Sequence, residues 1–83
     1  MDTFKVINGN KIESYYVICR NSNGKYQAVS LPWCRIDYRE CDTKEEVFNL
    51  VNSVVAERNS KAEWVKLSVI EDEKWKRLKL NHT

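Results

Sequence analysis

Trp64, Lys66, Trp75, Arg77 and Lys79 carry the chemistry that stands out in this chain: flat rings that stack on bases, interleaved with cations that neutralise phosphates. Read as strands, "EWVKLSVI" (63–70) and "EKWKRLKL" (73–80) place Trp64, Lys66, Ser68, Trp75, Arg77 and Lys79 on one face. Val65, Leu67, Val69, Leu78 and Leu80 then face a helix on the other side. Such a surface admits three readings. It binds single-stranded RNA or DNA; it is a protein contact, because Trp, Tyr and Arg dominate interface anchors; or the two Trp form a cross-strand pair covering a bare sheet face, with basic stems lying over the rings. A second candidate surface lies in "LPWCRIDYRE" (31–40), where Trp33 follows Pro32 in a loop and Arg35 and Arg39 share a strand face. Trp33 serves equally well as a plug for the end of a core.

Catalytic groups are harder to assemble. The only histidine, His82, stands next to the C-terminal residue, which removes Ser-His and Cys-His pairs unless that end folds back. Asp37, Glu40 and Asp42 cluster without metal-ligand spacing, and Asp42 has a sufficient role at a helix start. Cys19, Cys34 and Cys41 form no C-x-x-C pair, so a zinc site lacks paired ligands. Gly9 and Gly24 read as turn glycines and not as a phosphate loop. The expectation is a protein with no catalytic residues, no metal and no cofactor.

The length of 83 residues makes one domain, 1–83, able to bury only about 60% of the surface of its unfolded chain. A core that small must recruit most of its aromatic residues. At 42% apolar and 31% charged residues the composition is that of a globular protein. A net charge of +2 does not by itself indicate a nucleic-acid partner, although the C-terminal end, with Lys74, Lys76, Arg77 and Lys79 against Glu73, is locally basic. No apolar run approaches the roughly 20 residues needed to span a bilayer. An odd cysteine count without a leader pattern makes the expected location cytoplasmic, with no membrane partner. Many Asn and Lys with few Ala and Gly fit an AT-rich genome such as that of a phage or mobile element.

The elements follow from periodicity. "FKVI" (4–7) ends at Asn8-Gly9, "ESYYVICR" (13–20) ends at "NSNG", and "KYQAVSL" (25–31) pairs back until Pro32 interrupts its ladder. "CRIDYREC" (34–41) alternates as a fourth strand, with Cys34, Ile36, Tyr38 and Glu40 on one face. A helix from Thr43 to Arg58 has a capping-box pair in Thr43 and Glu46 and an apolar stripe of Val47, Leu50, Val51, Val54 and Val55. The tail 73–80 reads as a strand, while the i, i+4 pairs Asp72 with Lys76 and Glu73 with Arg77 would suit a helix. The expected fold is α+β, an antiparallel sheet of five or six strands on one amphipathic helix, in the order β-β-β-β-α-β-β.

Gly24, Tyr26, Pro32, the helix start "DTKEEV" (42–47) and the helix positions Leu50 and Val54 occur in the order found in HicB-type antitoxin domains, which residues 15–55 resemble. That resemblance implies a small α/β domain that holds a ribonuclease toxin inactive by protein contact. The chain departs from the family in a longer stretch between Pro32 and Asp42 and in lacking its Gly-Cys. Small phage-encoded inhibitors of bacterial defence are similar in size and architecture. The functional expectation is therefore a non-enzymatic antitoxin-like or phage-encoded inhibitor that binds a bacterial nuclease toxin or defence complex. The alternative is a small RNA-binding domain using the basic aromatic face.

Overall fold

A computed structural model describes residues 2–70 of the chain. The expected last strand at 73–80, with Trp75, Arg77 and Lys79, lies outside the described residues. Within them the element order is β1 Thr3–Asn8, β2 Lys11–Arg20, β3 Tyr26–Leu31, α1 Lys44–Ala56 and β4 Lys61–Trp64. All pairings are antiparallel, and the strands stand in the order β3-β2-β1-β4.

Turn chemistry makes the two hairpins. Gly9 adopts φ +59 between the paired ends Asn8 and Lys11, a conformation that a side chain would resist in so short a loop. In the second hairpin Gly24 takes φ +77, and the Asn21 side chain accepts from the backbone N–H groups of Asn23 and Lys25, both at 3.0 Å.

The helix begins as its capping residues dictate. The Thr43 hydroxyl accepts from the Glu46 N–H at 3.1 Å, and Glu45 and Glu46 in the first turn complement the positive end of the helix dipole. Its end is equally local. Asn59 turns left-handed at φ +61, with the Asn59 N–H bonded to the Ala56 carbonyl and the Ser60 N–H to the Val55 carbonyl.

Val47, Val51 and Val55 are fully buried on the face of α1 that meets the sheet, against Phe4, Val6, Tyr16, Ile18, Ala28 and Ala62. Aromatic rings organise this core. Phe4 stacks on Tyr16 with centroids 5.1 Å apart and meets Phe48 and Trp64 edge-on at 5.5 and 5.9 Å, while Phe48 and Trp64 stack at 4.4 Å. A smaller cluster occupies the opposite sheet face, where Tyr15, Val65 and Ile70 are buried with Ile12 and Leu31 packed around them.

The structure corrects the expected fold in three ways. The described sheet has four strands, not five or six on a single helix, and a second, short helical turn follows at 67–70. Residues 34–41 are not a strand. They run back beside β3 but form no ladder with it, only the isolated bridges Val29↔Ile36 and Tyr26↔Cys41, so four residues, 37–40, stand opposite two, Gln27 and Ala28, and the segment between the bridges bulges. The alternation in "CRIDYREC" is therefore not a core face: Ile36 is 54% exposed, whereas Cys41 is buried.

The third correction concerns facing. Strand β4 ends at Trp64, and its pairing with Phe4 directs the indole toward α1, so that Val65 falls on the other side. Leu67 and Val69, expected to face the helix, are 51% and 43% exposed in the helical turn. Alternation alone gives two opposite faces without saying which is inner. The large rings of Phe4 and Phe48 decide it by offering Trp64 a stacking partner.

Candidate functional site

β2 has ten residues and β3 has six, so one end of β2 overhangs. β3 pairs with β2 only as far as Tyr15↔Leu31. There the Leu31–Pro32 peptide is cis and the chain reverses, with the Cys34 N–H bonded to the Ser30 carbonyl and the Ser30 N–H to the Arg35 carbonyl. Cys34 takes φ +55 within this turn. The Ser30 hydroxyl accepts from the Arg35 N–H at 3.1 Å, which ties the loop to the end of β3.

Between the overhang of β2 and the departing loop lies a groove of about 220 Å³. The consecutive residues Ile12, Glu13, Ser14, Tyr15 and Tyr16 form one wall. Ser30 and Leu31 end β3 at its floor, and Pro32, Trp33, Arg35 and Asp37 form the opposite wall. Trp33 is 80% exposed, the most open of the large apolar residues described. The plug reading of Trp33 is thereby excluded.

A β-bulge shapes the first wall. The register passes from Val6↔Ser14 to Ile7↔Ile12, leaving Glu13 as the extra residue in β2. Glu13 is thus free to reach the end of α1, where Arg58 donates to its carboxylate through Nε and a terminal guanidinium nitrogen, the closest contact being 3.0 Å. The Arg58 hydrogen bond holds the Glu13 carboxyl below its ordinary value against the smaller opposing effect of burial. Beside them Tyr38 packs edge-on against Tyr16 at 6.0 Å, and burial foremost, with Tyr16 adding to it, pushes the Tyr38 phenol up to about 12. Both groups keep their ordinary neutral-pH forms, so neither is poised for proton transfer.

The sign of the Glu13 shift yields a measurable consequence. A carboxyl whose folded value lies below the ordinary glutamate value of 4.5 adds stability above that value and loses it as pH falls through the lower folded value. The advantage of wild type over Glu13→Gln is expected to be full at neutral pH and to fade below pH 4.5, in paired urea titrations across the acid range. An advantage that stays constant from neutral to strongly acid pH would refute the ion pair.

The structure separates the residues singled out in the sequence. Trp33 and Arg35 stand together on the groove wall, with Arg35 bonded to Asp37 at 3.0 Å, and Arg39 is exposed farther along the same bulged segment. Trp64 is half-buried in the aromatic core and Lys66 is exposed after β4, so this pair does not join the groove residues. Trp75, Arg77 and Lys79 lie outside the described residues. Sequence reasoning passed over Ile12, Glu13, Tyr15 and Leu31. The available signal was length: "KIESYYVICR" is too long for "YQAVSL" to cover.

Among the described residues no group of three or more His, Cys, Asp or Glu is placed to hold a metal ion, and no helix is long and apolar enough to cross a membrane. Cys19 and Cys34 are exposed thiols, and Cys41 is a buried one. Comparison with family models, with curated proteins and with solved structures finds no match for this chain.

Proposed function

We propose that the chain is a non-enzymatic binding protein of the antitoxin-like or phage-encoded inhibitor kind, which blocks a bacterial nuclease toxin or defence complex by protein contact. One observation carries the reading: Trp33, 80% exposed, stands on a loop tied by backbone and Ser30 hydrogen bonds at the lip of a partly apolar groove. A ring in that position adds nothing to the core. It is the type of side chain that anchors protein interfaces, particularly beside an arginine such as Arg35. The resemblance of residues 15–55 and the Asn- and Lys-rich, Ala- and Gly-poor composition support a nuclease or defence complex as the target. The nucleic-acid alternative draws on Trp64, whose ring is stacked on Phe48, on the exposed Lys66, and on Trp75, Arg77 and Lys79 beyond the described residues, so no aromatic-cation surface among the described residues favours it.

The test is a tagged pull-down from bacterial lysate, with and without RNase, using wild type and Trp33→Ala. One stoichiometric protein retained after RNase treatment by wild type is expected. Trp33→Ala should bind it at least about 30-fold more weakly while its unfolding free energy stays within about 0.5 kcal/mol of wild type. Partner binding at full strength by the variant would sink the anchor role. Proteins that vanish with RNase would favour RNA binding instead.

A further inference from the structure

An asparagine converts to aspartate without an enzyme when the next residue is small, its own side-chain amide is free to turn back on the chain, and both are open to water. A following glycine meets the first condition best, since no Cβ hinders the attacking nitrogen. Asn8-Gly9 and Asn23-Gly24 meet it fully, and Asn21, Asn52 and Asn59, each followed by serine, meet it less well.

The fold separates these five. The Asn8 side-chain amide donates to the Arg58 carbonyl at 3.0 Å and to the Ser60 hydroxyl at 3.2 Å, bonds that fasten it to the end of α1. Asn21 is held by the backbone N–H groups of Asn23 and Lys25 and by Glu40. The Asn52 side chain, within α1, accepts from the Ala62 N–H at 3.0 Å. At Asn59 the attacking nitrogen would come from Ser60, which is buried with its N–H bonded to the Val55 carbonyl. Asn23 alone of the five is exposed with no side-chain hydrogen bond among the described residues.

Its neighbours favour the reaction. The Gly24 N–H makes one bond, to the Asn21 carbonyl at 3.1 Å, which must open. The place where a Cβ at Gly24 would stand lies 3.5 Å from a terminal guanidinium nitrogen of Arg20, so a cation borders the residue whose nitrogen becomes anionic. That charge stabilises the deprotonated nitrogen and the oxyanion formed in the attack.

We propose that Asn23 is a site of spontaneous modification, converted by water to aspartate and isoaspartate through a succinimide with Gly24, and that Arg20 assists the step. The Gly24 nitrogen loses its proton to hydroxide and attacks the Asn23 Cγ. The Cγ–Nδ2 bond breaks, and the nitrogen takes a proton from water and leaves as ammonia. Water then opens the ring. Opening at the side-chain carbonyl gives aspartate, and opening at the backbone carbonyl gives isoaspartate, which routes the chain through an extra methylene. Either product lowers the net charge by one from +2. Isoaspartate also lengthens a turn whose ends are tied by the Asn21 N–H and the Lys25 carbonyl at 2.8 Å.

The test incubates the full chain at mildly alkaline pH, folded and in guanidinium chloride, and follows each asparagine by peptide mass mapping with isoaspartate methyltransferase labelling. In the folded chain Asn23 is expected to convert at least about tenfold faster than Asn8, whose two side-chain bonds must break first. In guanidinium chloride, where the fold no longer distinguishes them, the two should convert at similar rates. Arg20→Gln should slow conversion of folded Asn23 at least about twofold, Arg20→Lys should restore it, and neither should matter in guanidinium chloride. Slow conversion of Asn8 in these variants shows that they are folded. Folded Asn8 converting as fast as Asn23 overturns the assignment, as does a folded Asn23 that stays intact while the same residue converts in guanidinium chloride. An Arg20→Gln rate equal to wild type overturns the part given to Arg20.

Discussion

The Val51→Asp protein is expected to be unfolded at neutral pH, with its dispersed amide spectrum collapsed to that of a random chain. Val51 is fully buried between α1 and the sheet, within a cluster whose members are otherwise Phe4, Val6, Ile18, Val47 and similar apolar groups. Losing the valine contacts costs about 1.5–3 kcal/mol. Placing a carboxylate there costs several more, either by desolvating the charge or by forcing protonation at neutral pH. A domain of 83 residues has a total stability of roughly 4–12 kcal/mol, so the substitution removes most or all of it. The neighbouring Val54, 40% exposed on the outer side of the helix, is the control, and Val54→Asp should keep the dispersed spectrum. Dispersion retained by Val51→Asp would mean that the buried face of α1 is misassigned.

Phe4→Ala carries the next largest effect, a loss of about 3–5 kcal/mol. Phe4 is fully buried at the meeting point of three rings, stacked on Tyr16 and edge-on to both Phe48 and Trp64. Its removal opens a cavity between β1, β2, β4 and α1 that none of these elements can close alone. With a denaturant slope of about 2 kcal/mol per molar urea, the unfolding midpoint should fall by roughly 2 M. Trp64 should become more solvent-exposed, since its packing depends on both phenylalanines. A midpoint shift below about 0.5 M would show that the aromatic cluster is not what holds β4 to the helix.

These two substitutions also separate what was legible in the chain from what was not. Val51 was legible because its position follows from helical period and a cap. Thr43, Glu46 and the stripe Val47, Leu50, Val51, Val54 and Val55 are spaced within a few residues of one another, and such local terms need no knowledge of the rest of the fold, although of the stripe only Val47, Val51 and Val55 are buried and Val54 is 40% exposed. The hairpin turns at Gly9 and Gly24 were legible for the same reason. The facing of Trp64 was not. A period of two marks opposite faces, but the side that is buried depends on Phe4 across the sheet and Phe48 on the helix, residues far away in sequence.

The same distinction governs the candidate site. Pro32 signalled the end of β3, and Trp33 and Arg35 were visible as a candidate surface because their types are unusual in a loop. The fourth strand read from "CRIDYREC" failed because alternation specifies only the capacity to form a strand. Whether a ladder forms depends on register with β3, and the two bridges at Ile36 and Cys41 are out of step by two residues. That mismatch breaks the ladder between Ile36 and Cys41, leaving Asp37, Arg39 and Glu40 exposed while Tyr38 packs on Tyr16, and Arg35 and Trp33 line the groove with the overhang of β2.

By itself the sequence determined the helix, its N-cap, the two β-hairpins and the stop at Pro32, because each is set by backbone preferences and contacts between near neighbours. The inner face of β4, the failure of the fourth strand and the groove beside Trp33 were decided only by the tertiary structure. Each depends on how segments distant in the chain align, and no single segment contains that alignment.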